Sequence, residues 1–297
     1  MHEKRPSRTA ERVALRRAAH QLLDRPPVFE DPLALAMVGG EEAERLAAEL
    51  EASSPRSRFL RAFMAARSRF AEDELGHAIR RGVRQYVILG AGLDTFAYRN
   101  PCAGLRVFEV DHPATQAWKR RRLVSAGIAP PRSLKLVPVD FERQHFPDAL
   151  EHAGFSRAET AFFSWLGVTP YLAQETVLET LQSIIAISAE NGVVFDYVLP
   201  RSSLDPPNQA AFDGLAGRVA AAGELFRGFF NPEELALALR KRGFCHIEDL
   251  DTGEINARYF IGRTDGLRVA GNLAHLMSAR AEPSRAPRPV AVDPGRP

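Results

Sequence analysis

The sequence feature that most constrains the fold is a series of short apolar segments that begins near residue 84 and alternates with helical stretches. Apolar strands alternating with helices indicate a parallel sheet covered by helices on both faces. Two later segments, Cys245–Asp251 and Ala257–Arg263, are predicted to complete a mostly parallel α/β sheet of seven strands. The first five strands are predicted at Gln85–Leu89, Arg106–Val110, Leu134–Val139, Thr160–Leu166 and Gly192–Leu199.

The residues before this series predict helices. A second helix is expected over Asp31–Val38, and a third is expected to begin at Ser54-Pro55, where serine would cap it. We therefore expect one domain over residues 1–281, with an N-terminal helical cap over 1–82, an α/β core over 83–281 and a disordered tail over 282–297. In the first helix, one apolar stripe is formed at helical spacing by Leu15, Ala18, Ala19, Leu22 and Leu23.

A glycine-containing turn, within VILGAGLDT (Val87–Thr95), follows the first predicted strand. Glycines there allow the backbone to approach a ligand closely, and ligands of open α/β sheets bind at the carboxyl ends of strands. Glu109 and Asp111 lie at the end of the second strand, about 20 residues further on, where an acidic residue can accept hydrogen bonds from ribose hydroxyls. The alternative for the glycines is a turn with a purely structural role, and the alternative for the two acids is the solvated end of a strand.

The turn favours S-adenosyl-L-methionine (AdoMet) over a dinucleotide. The dinucleotide motif is G-x-G-x-x-G, but Thr95 occupies the position of its third glycine and Asp94 precedes it. A carboxylate beside a pyrophosphate would be unfavourable because both are negatively charged, whereas a carboxylate does not repel a sulfonium ligand with an amino group.

Arg67 is a further candidate for ligand binding. It lies four residues after Phe63 and three before Phe70, so it falls on or beside the apolar face of its helix. A guanidinium in that place needs an anionic partner, and the AdoMet carboxylate would serve. The alternative is an arginine whose stem packs on the core while its head reaches water.

Three motifs in order, LGAGLDT, FEVDHP (Phe108–Pro113) and PVDF (Pro138–Phe141), resemble those of the leucine carboxyl methyltransferase-like AdoMet enzymes, and most of all their bacterial O-methyltransferase branch. The resemblance covers nearly all of the chain except the tail. It implies a Rossmann-like class I methyltransferase fold, AdoMet as cofactor and a small-molecule acceptor. Further matching segments are FEDPLA (Phe29–Ala34), AARSRF (Ala65–Phe70), WLGVTPYL (Trp165–Leu172) and YFIGRTDGLR (Tyr259–Arg268).

The resemblance also implies roles for single residues. Arg67 would hold the AdoMet carboxylate, and the turn formed by Gly90, Ala91 and Gly92 would lie along the methionine moiety. Asp111 would bind the ribose, while Asp140 and Phe141 would flank the adenine. One departure is Leu166, which stands where the protein carboxyl methyltransferases have a glutamate. This departure weakens the case for leucine carboxyl methylation but leaves cofactor binding intact.

Methyl transfer from a sulfonium is an in-line displacement that needs no metal and no covalent intermediate with the protein, because the methyl group is already activated. Alignment of donor and acceptor supplies much of the catalysis. A carboxylate acceptor needs no base, whereas a hydroxyl would benefit from one. His112, Tyr171, Asp196 and Tyr197 lie near strand ends, but each is better explained structurally, so no catalytic base is assigned. The N-terminal helices are expected to help line an acceptor pocket, and for each aromatic candidate the alternative is ordinary core packing. These candidates are Trp165, Tyr171, Tyr197, Phe226, Phe229 and Phe230.

Two other function classes remain open at this point, an NAD(P)-dependent oxidoreductase and a non-catalytic AdoMet-binding protein. A net charge of +2 does not favour nucleic acid. No apolar stretch approaches the roughly 20 residues that span a bilayer. Cys102 and Cys245 are far apart, form no metal cluster and suggest no disulfide framework. We expect a cytoplasmic protein.

Overall fold

The computed structural model describes residues 8–52, 55–141, 144–187, 190–221 and 223–281. The predicted tail over 282–297 and the predicted serine cap at Ser54 lie outside these residues. Among the described residues, no helix is both long enough and apolar enough to cross a bilayer.

The described strands form one seven-stranded sheet in the order β3-β2-β1-β4-β5-β7-β6. Neighbouring strands from β3 through β5 run parallel, and β7 is antiparallel to both β5 and β6. The predicted mostly parallel α/β sheet is therefore confirmed. The strands are β1 (Gln85–Leu89), β2 (Arg106–Asp111), β3 (Leu134–Pro138), β4 (Ala161–Trp165), β5 (Asn191–Val198), β6 (Phe244–Leu250) and β7 (Ala274–Ala281).

Helices precede the sheet in sequence and connect its strands. The helices are α1 (Arg8–Leu23), α2 (Ala34–Val38), α3 (Gly40–Ala52), α4 (Pro55–Arg80), α5 (Phe96–Arg99), α6 (Pro113–Ser125), α7 (Phe146–His152), α8 (Gln174–Ile187), α9 (Pro206–Ala220), α10 (Pro232–Lys241) and α11 (Thr252–Tyr259). Short 3-10 turns follow β4 and β5, at Thr169–Tyr171 and Arg201–Ser203.

The sheet is buried on both faces because α4 and α11 cover one face while α7, α8 and α10 cover the other. Phe63, Ala66 and Phe70 of α4 pack in the same apolar cluster as Ile88 of β1. Alternate strand residues enter the opposite cluster, where Leu89 packs with residues of α8. The N-terminal helices thus pack directly on the α/β core.

One predicted strand is wrong. Ala257–Arg263 lies in α11 and the turn after it, and β7 comes later, at Ala274–Ala281. The aromatic run has strand propensity, but a capping box starts a helix just before it: Asp251 Oδ1 accepts from Glu254 N at 2.8 Å, and Glu254 Oε2 accepts from Asp251 N at 2.9 Å. The strand predicted at Cys245–Asp251 is confirmed as β6.

Candidate functional site

A cavity of about 270 Å³ lies where β1, β2 and β4 end, the expected place for a ligand in such a sheet. Helices α1 and α4 contribute its other walls. The cavity is lined by every residue that the sequence predicted for cofactor binding: Arg67, Gly90, Ala91, Gly92, Asp111, Asp140 and Phe141.

The glycine turn after β1 has a conformation that requires glycine. Gly90 and Gly92 have φ values of 68° and 48°, in the left-handed region. A Cβ at Gly90 would also overlap Val168 Cγ2, so a side chain there would collide with the loop after β4. Gly90 N donates to Val110 O at 2.8 Å and Ala91 N to the same oxygen at 3.2 Å. The turn is thereby held against β2 with its backbone open to the cavity.

Asp111 is fixed by two backbone amides at the end of β2. Gly92 N donates to its Oδ2 and His112 N to its Oδ1, each at 2.6 Å. Burial raises the pKa of Asp111, while the two amide hydrogen bonds act in the opposite direction. Each carboxylate oxygen keeps a second lone pair, so Asp111 can still accept from ligand hydroxyls.

Glu109, the other acid predicted near this point, does not line the cavity. Its side chain is fully buried, and Lys119 Nζ of α6 donates to Glu109 Oε2 at 2.6 Å. Burial raises the pKa of Glu109 to about 7, against the opposing effect of Lys119. Of the two acids, Asp111 is therefore the one available to a ligand.

Arg67 is buried on α4 and has an anionic partner within the chain. Its Nη1 donates to Asp196 Oδ2 at 2.9 Å, and Asp196 Oδ1 accepts from Gly167 N at 2.5 Å. A Cβ at Gly167 would lie 2.9 Å from both Nη atoms, so this glycine lets the guanidinium lie against the loop after β4. A guanidinium has five N–H donors, and the bond to Asp196 leaves donors for the cavity. No pattern in the sequence indicated Asp196 as this partner.

Asp140 and Phe141 follow β3 at another wall of the cavity. The Phe141 ring packs on Phe146 of α7, with 6.3 Å between ring centroids. Asp140 N donates to Gln144 Oε1 at 3.0 Å, which closes the turn after the strand. An aromatic surface and a carboxylate therefore stand together, as a purine with an exocyclic amine would require.

Helix α1 forms a further wall of the cavity; the sequence indicated that N-terminal helices would close the site, but it singled out none of the α1 residues that do so. A Cβ at Gly92 would be 3.2 Å from Ala10 Cβ, so the helix packs against the glycine turn. The buried Arg17 strengthens this contact, because its Nη2 donates to Asp31 Oδ2 at 2.8 Å and to Leu93 O at 3.2 Å. The sequence does contain a signal for this contact, since the charged Arg17 lies beside the apolar stripe of α1. The residues of α1 that line the cavity are Thr9, Ala10, Val13, Ala14 and Arg17.

Of the six aromatic residues predicted as candidates for an acceptor pocket, Tyr171 lines the cavity. Trp165 of β4 and Tyr197 of β5 are fully buried in the core cluster on one face of the sheet, where Phe230 also packs, so for these three residues the alternative of core packing holds. Burial and the nearby Glu224 raise the pKa of Tyr171 to about 12, partly offset by a hydrogen bond with Thr9.

The remaining candidates for a base have structural partners. His112 accepts from Ala114 N at 3.2 Å and so caps α6. The Tyr197 hydroxyl donates to Asp249 Oδ1 at 2.9 Å, away from the cavity lining. Asp196 is held by Arg67 and Gly167, as described above. These contacts agree with the structural interpretation that the sequence favoured for each residue.

Comparisons with known proteins agree with this geometry. The model of the family described as "Leucine carboxyl methyltransferase" matches residues 10–185. A Bacillus subtilis protein named "Putative S-adenosyl-L-methionine-dependent methyltransferase YktD" is 33% identical over 218 residues, covering 72% of this chain and 71% of that protein. A Mycolicibacterium smegmatis protein with a similar description is 37% identical over 193 residues, covering 61% of this chain and 62% of its own length.

Among solved structures, the chain resembles a protein from Thermobifida fusca described as a "putative methyltransferase". The TM-score is 0.56 at 17% identity, over 84% of this chain and 92% of the other. At that identity the likeness concerns the fold, which is the class I arrangement expected from the sequence.

Proposed function

The chain belongs to the leucine carboxyl methyltransferase family of S-adenosyl-L-methionine-dependent methyltransferases, and on this premise we propose that it methylates an oxygen atom of a small molecule, either a carboxylate or a hydroxyl. The observation that carries the proposal is the cavity that unites Arg67, the glycine turn, Asp111, Asp140 and Phe141.

The donor set of this cavity suits AdoMet group by group. We propose that Arg67 holds the ligand carboxylate, because a partly engaged guanidinium keeps donors for a second anion. Gly90, Ala91 and Gly92 would lie along the methionine chain, since a side chain at Gly90 is excluded by Val168. The next groups in order are the ribose hydroxyls at Asp111 and the adenine between Asp140 and Phe141.

When bound, AdoMet supplies a methyl group that its sulfonium has already activated. The protein then has to hold the acceptor oxygen in line with that methyl group and to exclude water. Helix α1 would serve to exclude water, because Ala10 lies against the glycine turn and Val13 lines the cavity. The acceptor would lie near Tyr171, where the cavity wall is formed by Val13, Leu166, Val168 and Leu172.

The three residues considered as bases that border or adjoin the cavity, Tyr171, Asp196 and His112, favour a carboxylate acceptor over a hydroxyl. Tyr171, with its pKa raised to about 12, keeps its proton at neutral pH and does not act as a base there. Asp196 is engaged by Arg67, and a ring nitrogen of His112 caps α6. A carboxylate arrives as an anion and therefore needs no proton removed.

The proposal is tested by incubating the protein with AdoMet labelled in its methyl group and a panel of small carboxylic acids, phenols and alcohols. We expect label in at least one ester or ether product, with carboxylic acids preferred. Label that appears only on nitrogen, sulfur or carbon would contradict the proposal, as would label on protein carboxyl termini alone.

A further inference from the structure

Four arginine side chains gather at the junction of α1, the start of α4 and α9. Arg12 Nη1 donates to Arg218 O at 3.4 Å and so joins α1 to α9. A Cβ at Gly214 of α9 would lie 3.7 Å from Arg218 Nη1 and 3.9 Å from Arg56 Nη1, so these two guanidiniums flank the same glycine. We call Arg12, Arg16, Arg56 and Arg218 the arginine cluster.

The charges of the arginine cluster are not compensated within the described part of the chain. None of its members forms an ion pair with a carboxylate there, whereas the neighbouring Arg61 is held by both oxygens of Asp24, at 2.8 and 2.9 Å. Arg16 Nε is buried without a hydrogen-bond partner. Burial and then the charges of Arg12, Arg218 and Arg61 lower the pKa of Arg16 to about 10.

The cluster borders the cavity. Along α1, Arg12 lies one turn after Thr9 and Arg16 lies one turn after Val13, and both of these earlier residues line the cavity. The Thr9 hydroxyl donates to Glu224, a cavity residue that follows α9 in the chain. The cluster and the acceptor end of the cavity are therefore neighbours on α1.

We propose that the arginine cluster binds a phosphate or carboxylate group that the methyl acceptor carries in addition to its reacting oxygen. The inference rests on the proposed function, because it gives the acceptor of that site a chemical class. Guanidinium groups pair with both anions through two parallel hydrogen bonds. Helix α4 begins at Pro55, so the positive end of its dipole lies next to Arg56 and adds to the attraction.

An anion has a defined physical effect at this place. Like charges held close together destabilise the folded chain, and a desolvated guanidinium nitrogen without a partner adds to that cost. A bound phosphate or carboxylate would remove both effects. Anions should consequently stabilise the protein through these arginines, and the effect should be separable from cofactor binding.

The first experiment measures thermal unfolding with inorganic pyrophosphate or citrate, against sodium chloride at the same ionic strength. We expect a rise of at least about 2 °C for the wild-type protein. The rise should fall by half or more in Arg16→Met and in Arg218→Gln, the second of which changes an exposed side chain and should fold normally. Arg45→Gln, an exposed arginine of α3 paired with Glu49, is the matched control and should respond like wild type.

A larger response to pyrophosphate would identify a phosphate-bearing acceptor, and a larger response to citrate would identify a second carboxylate. No rise in the wild-type protein, or an equal rise in all four proteins, overturns the proposal. AdoMet binding is measured in parallel by calorimetry. If no protein binds AdoMet while the anion responses differ as expected, the proposed function fails and the anion site stands.

The second experiment connects the cluster to catalysis. Acceptors found with labelled AdoMet are compared with analogues from which the additional anionic group has been removed. In Arg16→Met, the KM for the anionic acceptor should rise at least tenfold while kcat stays within about twofold, and the KM for the neutral analogue should not change. Equal effects on both acceptors, or no effect on either, would contradict the assignment.

Discussion

Arg67 and Asp111, proposed to contact the carboxylate and the ribose of the cofactor, are both oriented before a ligand arrives. Asp196 holds the guanidinium of Arg67, while backbone amides of Gly92 and His112 hold the carboxylate of Asp111. Side chains held in this way lose little conformational freedom on binding, so more of each contact contributes to affinity.

Asp111→Asn should weaken AdoMet binding. The amide group cannot accept from both backbone donors and the ribose as a carboxylate does, and hydrogen bonds to charged groups contribute about 1.5–3 kcal/mol. We expect the Kd to rise roughly 10- to 150-fold by calorimetry. An AdoMet analogue without ribose hydroxyls should bind both proteins alike. A Kd for AdoMet that does not change would exclude Asp111 from the ribose site.

Arg67→Met should affect both affinity and stability. The affinity for AdoMet should fall by roughly 10- to 150-fold, whereas decarboxylated AdoMet should bind the two proteins similarly. The free energy of unfolding should fall by about 3–5 kcal/mol in urea titrations, because Asp196 stays buried without its cation.

A second substitution separates the two effects of Arg67. Adding Asp196→Asn to Arg67→Met removes the unpaired charge and should restore part of the stability, but not the affinity for AdoMet. Equal losses for AdoMet and for its decarboxylated form would mean that Arg67 supports the fold and does not contact the carboxylate.

At the scale of elements, α1 connects the N-terminal helices to the site. It packs with α2 and α6 around Met37, Leu93 and Leu123, and five of its residues face the cavity. Because Leu93 belongs to the glycine loop, the same contacts that hold α1 in place also position the loop. A ligand below α1 would therefore be enclosed by the helix and the sheet together.

Binding of AdoMet should slow hydrogen exchange in α1. The helix covers the site, so it must stay closed while the ligand is held, and we expect lower deuterium uptake over residues 8–23 by mass spectrometry. Peptides from α8, which packs on the opposite face of the sheet, provide the internal control and should change little. Protection of α8 but not of α1 would show that α1 is no part of the site.

At the scale of the whole molecule, the site draws on elements far apart in sequence. Residues of α1, α4, β1, β2 and the loops after β3 and β4 meet in one cavity, so a bound ligand links the N-terminal helices to the sheet. A ligand that binds only the folded state stabilises it according to its concentration.

AdoMet and its demethylated product should raise the temperature of unfolding, and NAD should not. At 100 times the Kd, stabilisation is about 2.7 kcal/mol, which corresponds to roughly 4 °C for a chain of this size. NAD is excluded because Asp94 would face its pyrophosphate and Thr95 replaces the third glycine. Stabilisation by NAD with none by AdoMet would contradict the cofactor assignment.

The sequence by itself determined the first five strands, β6 and the turn after β1. These features are local: an apolar run long enough for a strand, followed by glycines that the left-handed backbone requires, specifies its structure within about ten residues. The same local signals indicated which residues end the strands, and parallel strands bring those ends to one edge. The seven predicted cofactor residues therefore line one cavity, and their contact with AdoMet stays a prediction.

Only the tertiary structure decided which charged groups pair and which helix closes the site. Arg67 pairs with Asp196, which lies 129 residues later in the sequence. The side chain of Glu109 pairs with Lys119 and does not line the cavity. The segment Ala257–Arg263 had the composition of a strand, yet the capping box at Asp251 begins a helix that includes its first residues. The position in the sheet between β5 and β6 is occupied by β7. The capping box is a local signal that the strand prediction overlooked, whereas the Arg67–Asp196 pair and the place of β7 depend on packing between distant segments, which no local pattern encodes.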